Sequence, residues 1–273
     1  MYIAIPVILA LGLVLAFFIG KRALRNAKRK RLFAATFPQQ WKEIVSMNVP
    51  LYNRLPDSFK EQLHGLVNVF VGEANFEGCG GLQITDEIRV TIAAQASMLL
   101  LNRKALYFRK LRSILVYPHT YVAKTVSSNG TITVNGQSVR LGESWQNGPV
   151  VLAWDSVKGG TSIVTDARNV VLHEFAHQLD QEDGAADGAP ILEHRSRYTT
   201  WARVLSMEYE VLQRNKRNRR RSVLNKYGAT NPAEFFAVAT ETFFEKPKQM
   251  ARKHPELYEE LKNYYKLDPA EWV

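Results

Sequence analysis

The chain has 273 residues, 46% of them apolar, which is enough for one large domain with a sizeable core. Its single cysteine, Cys79, excludes an intrachain disulfide and fits a reducing compartment. The net charge of +10 is local: seven basic residues lie in 21–31 and six in 214–221, and without them 23 basic residues face 26 acidic ones, which argues against a nucleic-acid protein with a uniformly basic surface.

Residues 1–20, MYIAIPVILALGLVLAFFIG, carry no charge. As a helix they reach roughly 30 Å, the hydrocarbon thickness of a bilayer. No basic residue precedes the apolar run and no good cleavage site follows it, so an uncleaved anchor is expected rather than a signal peptide. The basic cluster starts at Lys21, and the positive-inside rule then puts the body in the cytoplasm, at the inner membrane. The expected organisation is a transmembrane anchor at 1–20, a basic juxtamembrane linker at 21–36 and one domain at 37–273.

Within that domain, PDSFKEQLHGLVNVFVGEANF repeats its apolar residues at helical spacing (Phe59, Leu63, Leu66, Val67, Phe70). TDEIRVTIAAQASMLLLN reads as a second helix opened by Thr85 or Asp86. Short strands are then expected in SILVYPHTYVAKTV, GTITVNG and SVRLGE, with tight turns at Asn129-Gly130 and Asn135-Gly136. GPVVLAW (148–154) is one more strand, either an edge that pairs with the backbone of a substrate or an ordinary central strand. Helices resume from Asp166. One is expected at 196–213, followed by the basic run Arg214–Arg221, which suits a solvated loop, docking on anionic lipid or, less well, nucleic acid. Asn231 as N-cap, Pro232 at N1 and Glu234 at N3 mark another helix start. Helices, then short strands, then helices give an α+β domain.

VLHEFAHQLD, residues 171–180, carries the chemistry. Residues four apart share a helix face, so His173 and His177 can present two imidazoles to one ion, and zinc suits nitrogen ligands at that spacing. Glu174 is turned aside, placed to take a proton from a metal-bound water as general base. A catalytic site needs a third protein ligand. The longer pattern H-E-x-x-H-x-x-G-x-x-H would need a glycine at position 180 and a histidine at 183, but these are Asp180 and Asp183. Asp183, His194 and a glutamate on the later helix remain, with Glu234 ahead of Glu241. Glu234 has a competing role at N3, folding back on its cap. Glu241, seven residues on, has one too, holding a ligand histidine from behind.

HEFAHQLD followed by YGATNPAEFFAVATETFF, with ILVYPHTYV, GESWQNGPVVLAW and DGAADGAP in order, resembles the Mlc titration factor A family of zinc metallopeptidases, of which the anthrax lethal factor catalytic domain is a distant relative. The resemblance implies a zincin-like fold, mainly helical with a small sheet. It also implies one Zn2+ on His173, His177 and Glu234, Glu174 as general base, and Tyr227 as donor to the oxyanion. The family is further linked to aminopeptidase-like activity and to binding a glucose-responsive transcriptional repressor, and no matched residue carries either link. Two functions are thus expected: a zinc peptidase tethered to the membrane, or a tethered protein that sequesters a transcriptional regulator around a structural zinc. The membrane span and the basic patches depart from the family pattern.

Overall fold

The computed structural model describes residues 4–103, 105–119, 121–122, 139–140, 142–144, 149–162 and 168–272. In chain order these form α1 (Ala4–Phe33), α2 (Gln39–Asn48), α3 (Pro50–Arg54), α4 (Asp57–Glu73), β1 (Asn75–Gly78), α5 (Asp86–Met98), β2 (Ser113–Tyr117), β3 (Tyr121–Val122), β4 (Val139–Arg140), β5 (Gly142–Ser144), β6 (Val150–Ala153), α6 (Trp154–Ser162), α7 (Val170–Asp180), α8 (Arg197–Arg217), α9 (Pro232–Glu245), α10 (Pro247–Lys253) and α11 (Pro255–Tyr265). The expected tight turns at 129–130 and 135–136 lie outside the described residues.

The fold is mainly helical with a small mixed sheet in the order β1-β2-β6-β5. β1, β2 and β6 run parallel, with Ile114 opposite Val150 and Val116 opposite Leu152. β5 closes the sheet antiparallel to β6. All four residues of β6 are buried, as a strand covered on both faces requires. GPVVLAW therefore supplies a central strand, and β1 and β5 are the edges.

β1 was hidden in the sequence: Asn75 and Phe76 read there as the end of a helix. The helix stops at Glu73, and residues 75–78 pair with 113–116 instead. So short a segment has no period of its own and depends on its partner strand.

Local caps place the helices around this sheet. The Thr85 hydroxyl accepts from Ile88 N–H at the start of α5, with Asp86 and Glu87 in its first turn. Asn169 accepts from Leu172 N–H at the start of α7. α7 lies among α5, α9, β5 and β6. Phe175 on its buried side meets Phe108 and Phe70 at ring-centroid distances of 4.8 and 5.5 Å.

One helix, Ala4 to Phe33, runs through both the anchor expected at 1–20 and the linker expected at 21–36. Its C-terminal part is docked on α4. Arg29 is buried, its Nε lies 2.8 and 3.0 Å from the two carboxylate oxygens of Glu73, and its guanidinium stacks 3.3 Å over the Tyr107 ring. Gly65 and Gly72 leave room for it: a Cβ at either would come within 2.8 Å of Phe33 or 3.0 Å of Leu32. The segment could not be read as a docked helix because Arg29 and Lys28 look solvent-facing until Glu73 is brought beside them.

Among the described residues no helix is long and apolar enough to cross a membrane. Residues 1–3 of the expected span, and the side chains of 4–11, lie outside the described residues. Leu13, Leu15, Phe17, Phe18 and Ile19 are exposed on α1.

The basic run also divides. Arg214, Lys216 and Arg217 form the last turn of α8, where positive charge complements the helix dipole. Arg219 takes the left-handed conformation that ends the helix, and Arg220 N–H closes it on Asn215 C=O at 2.9 Å.

Candidate metal centre

α7 and α9 pack side by side and bring together residues some sixty positions apart. His173 and His177 stand one turn apart on α7, with ring centroids 4.9 Å apart and planes at 82°. Glu234 enters from the first turn of α9. One ligand atom from each of His173, His177 and Glu234 lies within 4.8 Å of the others. Glu234 Oε2 is 2.9 Å from His173 Nε2 and 3.6 Å from His177 Nε2.

The competing roles of the two glutamates are resolved by their contacts. Asn231 Oδ1 accepts from Glu234 N–H at 2.9 Å, so the cap binds the backbone of Glu234 while its carboxylate turns to the histidines. Glu241 is buried two turns further along α9, and its Oε1 accepts from His173 Nδ1–H at 2.7 Å. That bond fixes the ring so that Nε2 faces Glu234. Asp183 is used locally, accepting from Ala185 N–H at 3.0 Å. Neither it nor His194 joins the cluster.

Glu174 is buried beside His173 on the same helix, 4% exposed. Tyr227 lies in a short 3-10 turn, Lys226–Ala229, whose N–H at Tyr227 donates to Asn225 Oδ1 at 3.0 Å. Its ring centroid is 5.9 Å from that of His173, and the side chain is half exposed. Tyr227 thus borders the open side of the cluster, while Glu174 and Glu241 lie in protein.

The electrostatics follow from two carboxylates on one imidazole. Burial alone would push the His173 pKa down, but Glu234 and Glu241 on its two nitrogens, helped by Glu174, hold it well above the ordinary value. Burial opposes ionisation of Glu234, yet hydrogen bonds from His173 and His177 take its pKa down to about 2. Two imidazole nitrogens and a carboxylate oxygen, converging and pre-oriented from behind, are the donor set of a metal site, and the residues fit a divalent ion.

Sequence reasoning missed the device that closes the end of α7. Asp180 is fully buried and accepts from Gly188 N–H at 3.0 Å, while Trp201 Nε1–H donates to Gly188 C=O at 3.0 Å. Gly188 has φ +79°, and a Cβ there would lie 2.5 Å from the Pro232 carbonyl. The glycine is needed for both reasons, and it lets the loop after α7 abut the start of α9, two residues from Glu234. An aspartate ending a helix ahead of a glycine-rich loop was the available signal.

Two histidines one turn apart with an intervening glutamate, met by a carboxylate from a second helix, define a metallopeptidase-like protein. The comparisons with known proteins agree. A protein of Synechocystis sp. (strain ATCC 27184 / PCC 6803 / Kazusa), "Uncharacterized protein slr2042", is 37% identical over 268 residues, covering 97% of both chains. Mlc titration factor A of Yersinia pestis (strain Pestoides F) is 28% identical over 249 residues, covering 88% of this chain and 90% of its own. The chain belongs to the glucose-regulated metallo-peptidase M90 family, whose model matches residues 24–266. That match begins inside α1, just ahead of Lys28 and Arg29, which meet Gly72 and Glu73 of α4. A metal ion follows from the family, and the cluster of His173, His177 and Glu234 is the group of side chains that could hold it.

Proposed function

We propose that the protein is a zinc-dependent peptidase that hydrolyses peptide bonds, with His173, His177 and Glu234 as ligands and Glu174 as general base. The observation that carries this reading is the convergence of those three ligand atoms beside a buried glutamate. A zinc ion held there supplies Lewis acidity, polarising a carbonyl and making water a better nucleophile at neutral pH. Glu174 takes the proton of the attacking water and passes it to the departing amine. Tyr227 donates its hydroxyl hydrogen to the oxygen that gains charge as the carbonyl is attacked. Glu241 holds His173 in register throughout. Full-length protein with Glu174→Gln should keep one zinc per chain and lose hydrolysis of a mixed peptide library. A variant that cuts at the wild-type rate removes the mechanism.

The start of the chain supports attachment to the cytoplasmic face of the inner membrane. Apolar side chains are exposed around α1 from Leu13 to Ile19, and seven basic residues follow within 21–31. Membrane fractionation of the full chain tests this, and recovery in the soluble fraction counts against it.

A second role draws on the name Mlc titration factor A carried by the Yersinia relatives. It is the binding of a transcriptional regulator, with the metal centre structural. Capture of Mlc by Glu174→Gln at wild-type strength supports that role, and absence of capture by either form removes it.

A further inference from the structure

A cavity of about 400 Å³ lies away from the metal cluster, between the turn at 102–109, the loop at 191–194, the start of α8 and the end of α11. None of His173, His177, Glu234 or Tyr227 lines it. Its size is that of a small-molecule site.

The charges around it are unevenly matched. Arg197 forks onto both carboxylate oxygens of Glu260 at 3.1 and 3.2 Å, and Lys266 meets Glu193 at 3.1 Å, so these two cations are neutralised at the rim. Arg103 and Arg109 remain, facing a single carboxylate, Glu182. Arg103 is held in place by stacking, its guanidinium 4.5 Å from the Tyr264 ring centre. Its Nη1 is buried and has no hydrogen-bond partner among the described residues. A guanidinium fixed beside a second arginine is suited to an oxyanion. Burial raises the Glu182 pKa even with Arg103, Arg109 and Lys110 about it, as in a desolvated site.

We propose that this cavity binds a small molecule bearing one carboxylate or phosphate, held by Arg103 and Arg109, with the rest of the molecule against Tyr264 and Leu192. Glu182 follows α7 by two residues, and the loop that supplies Leu192 abuts Pro232 through Gly188.

Titration calorimetry of the full chain with inorganic phosphate and, separately, with succinate tests the proposal. The His177→Ala variant, with a broken metal cluster, serves as background so that anion binding at a metal is not counted. The expected result is one saturable site for at least one probe, with Kd below about 1 mM, weakened about tenfold or more in Arg109→Gln. Arg109 is exposed, so its variant folds. Phosphate alone points to a phosphorylated ligand, and succinate alone to a carboxylate. No saturable binding of either probe up to about 10 mM, or equal binding in Arg109→Gln, overturns the proposal.

Discussion

Glu241 grips His173 Nδ1 at 2.7 Å from the far side of the metal cluster, and that bond decides which nitrogen faces Glu234. Loss of the charge should loosen the ligand without removing it. Glu241→Gln is expected to weaken metal affinity about 10- to 100-fold, with the fold retained. Competition with a chromophoric chelator reads this directly, and unchanged affinity would leave Glu241 with no part in the site.

Tyr227 tests the other face. Tyr227→Phe keeps the ring beside His173 and removes only the hydroxyl. Metal content should not change, while kcat should fall by about 10²- to 10³-fold. A fall in metal content would instead make Tyr227 part of the metal-binding group.

The metal-free protein should have a two-sided pH profile. His173 has a raised pKa, so the stability it lends is present below the unfolded value near 6.5 and is lost as pH rises through the folded value. Glu234 has a lowered one, so its share is present above about 4.5 and is lost as pH falls toward about 2. Urea unfolding of metal-free protein should thus peak in mildly acidic solution. Metal competes with the same proton on His173, so affinity for the metal should climb through neutral pH. A flat urea midpoint from pH 4 to 9 would contradict the ion pair.

Asp180 should act in the opposite sense to Glu234. Burial raises its pKa to about 6, so the folded state resists its ionisation. The cost is absent below about pH 4, grows to about pH 6 and stays constant above. Asp180→Asn keeps an acceptor for Gly188 N–H. It should stabilise the protein by up to about 3 kcal/mol at pH 8 and much less at pH 4. Thermal melts at the two pH values decide, and an equal effect at both would show that Asp180 is not buried as a charge.

α1 can be tested as part of the domain. Protein starting at Phe37 loses Arg29, Leu32 and Phe33 and uncovers α4 at Gly65 and Gly72. Burial of those side chains is worth roughly 3–5 kcal/mol. Protein starting at Leu24 keeps them. Urea midpoints should therefore drop sharply for the shorter form alone. Equal midpoints would restore the picture of a loose linker.

The sequence by itself determined the elements that carry their own local signal: helices with a 3.6-residue period and a cap, such as α5 and α9, and the pairing of His173 with His177, which one turn of helix enforces. It also placed Glu174 beside them, since adjacency needs no fold. Tertiary structure decided what depends on distance. Glu234 led Glu241 in the sequence but shared one face of α9 with it, and packing of that helix on α7 gave the first to the cluster and the second to the back of His173. β1, with four residues and no period, exists because Ser113–Val116 lies beside it. Arg29 reads as one more cation in a basic run until Glu73 and Tyr107 enclose it. In each case the deciding partner is at least 38 residues away along the chain, where local periodicity and capping carry no information.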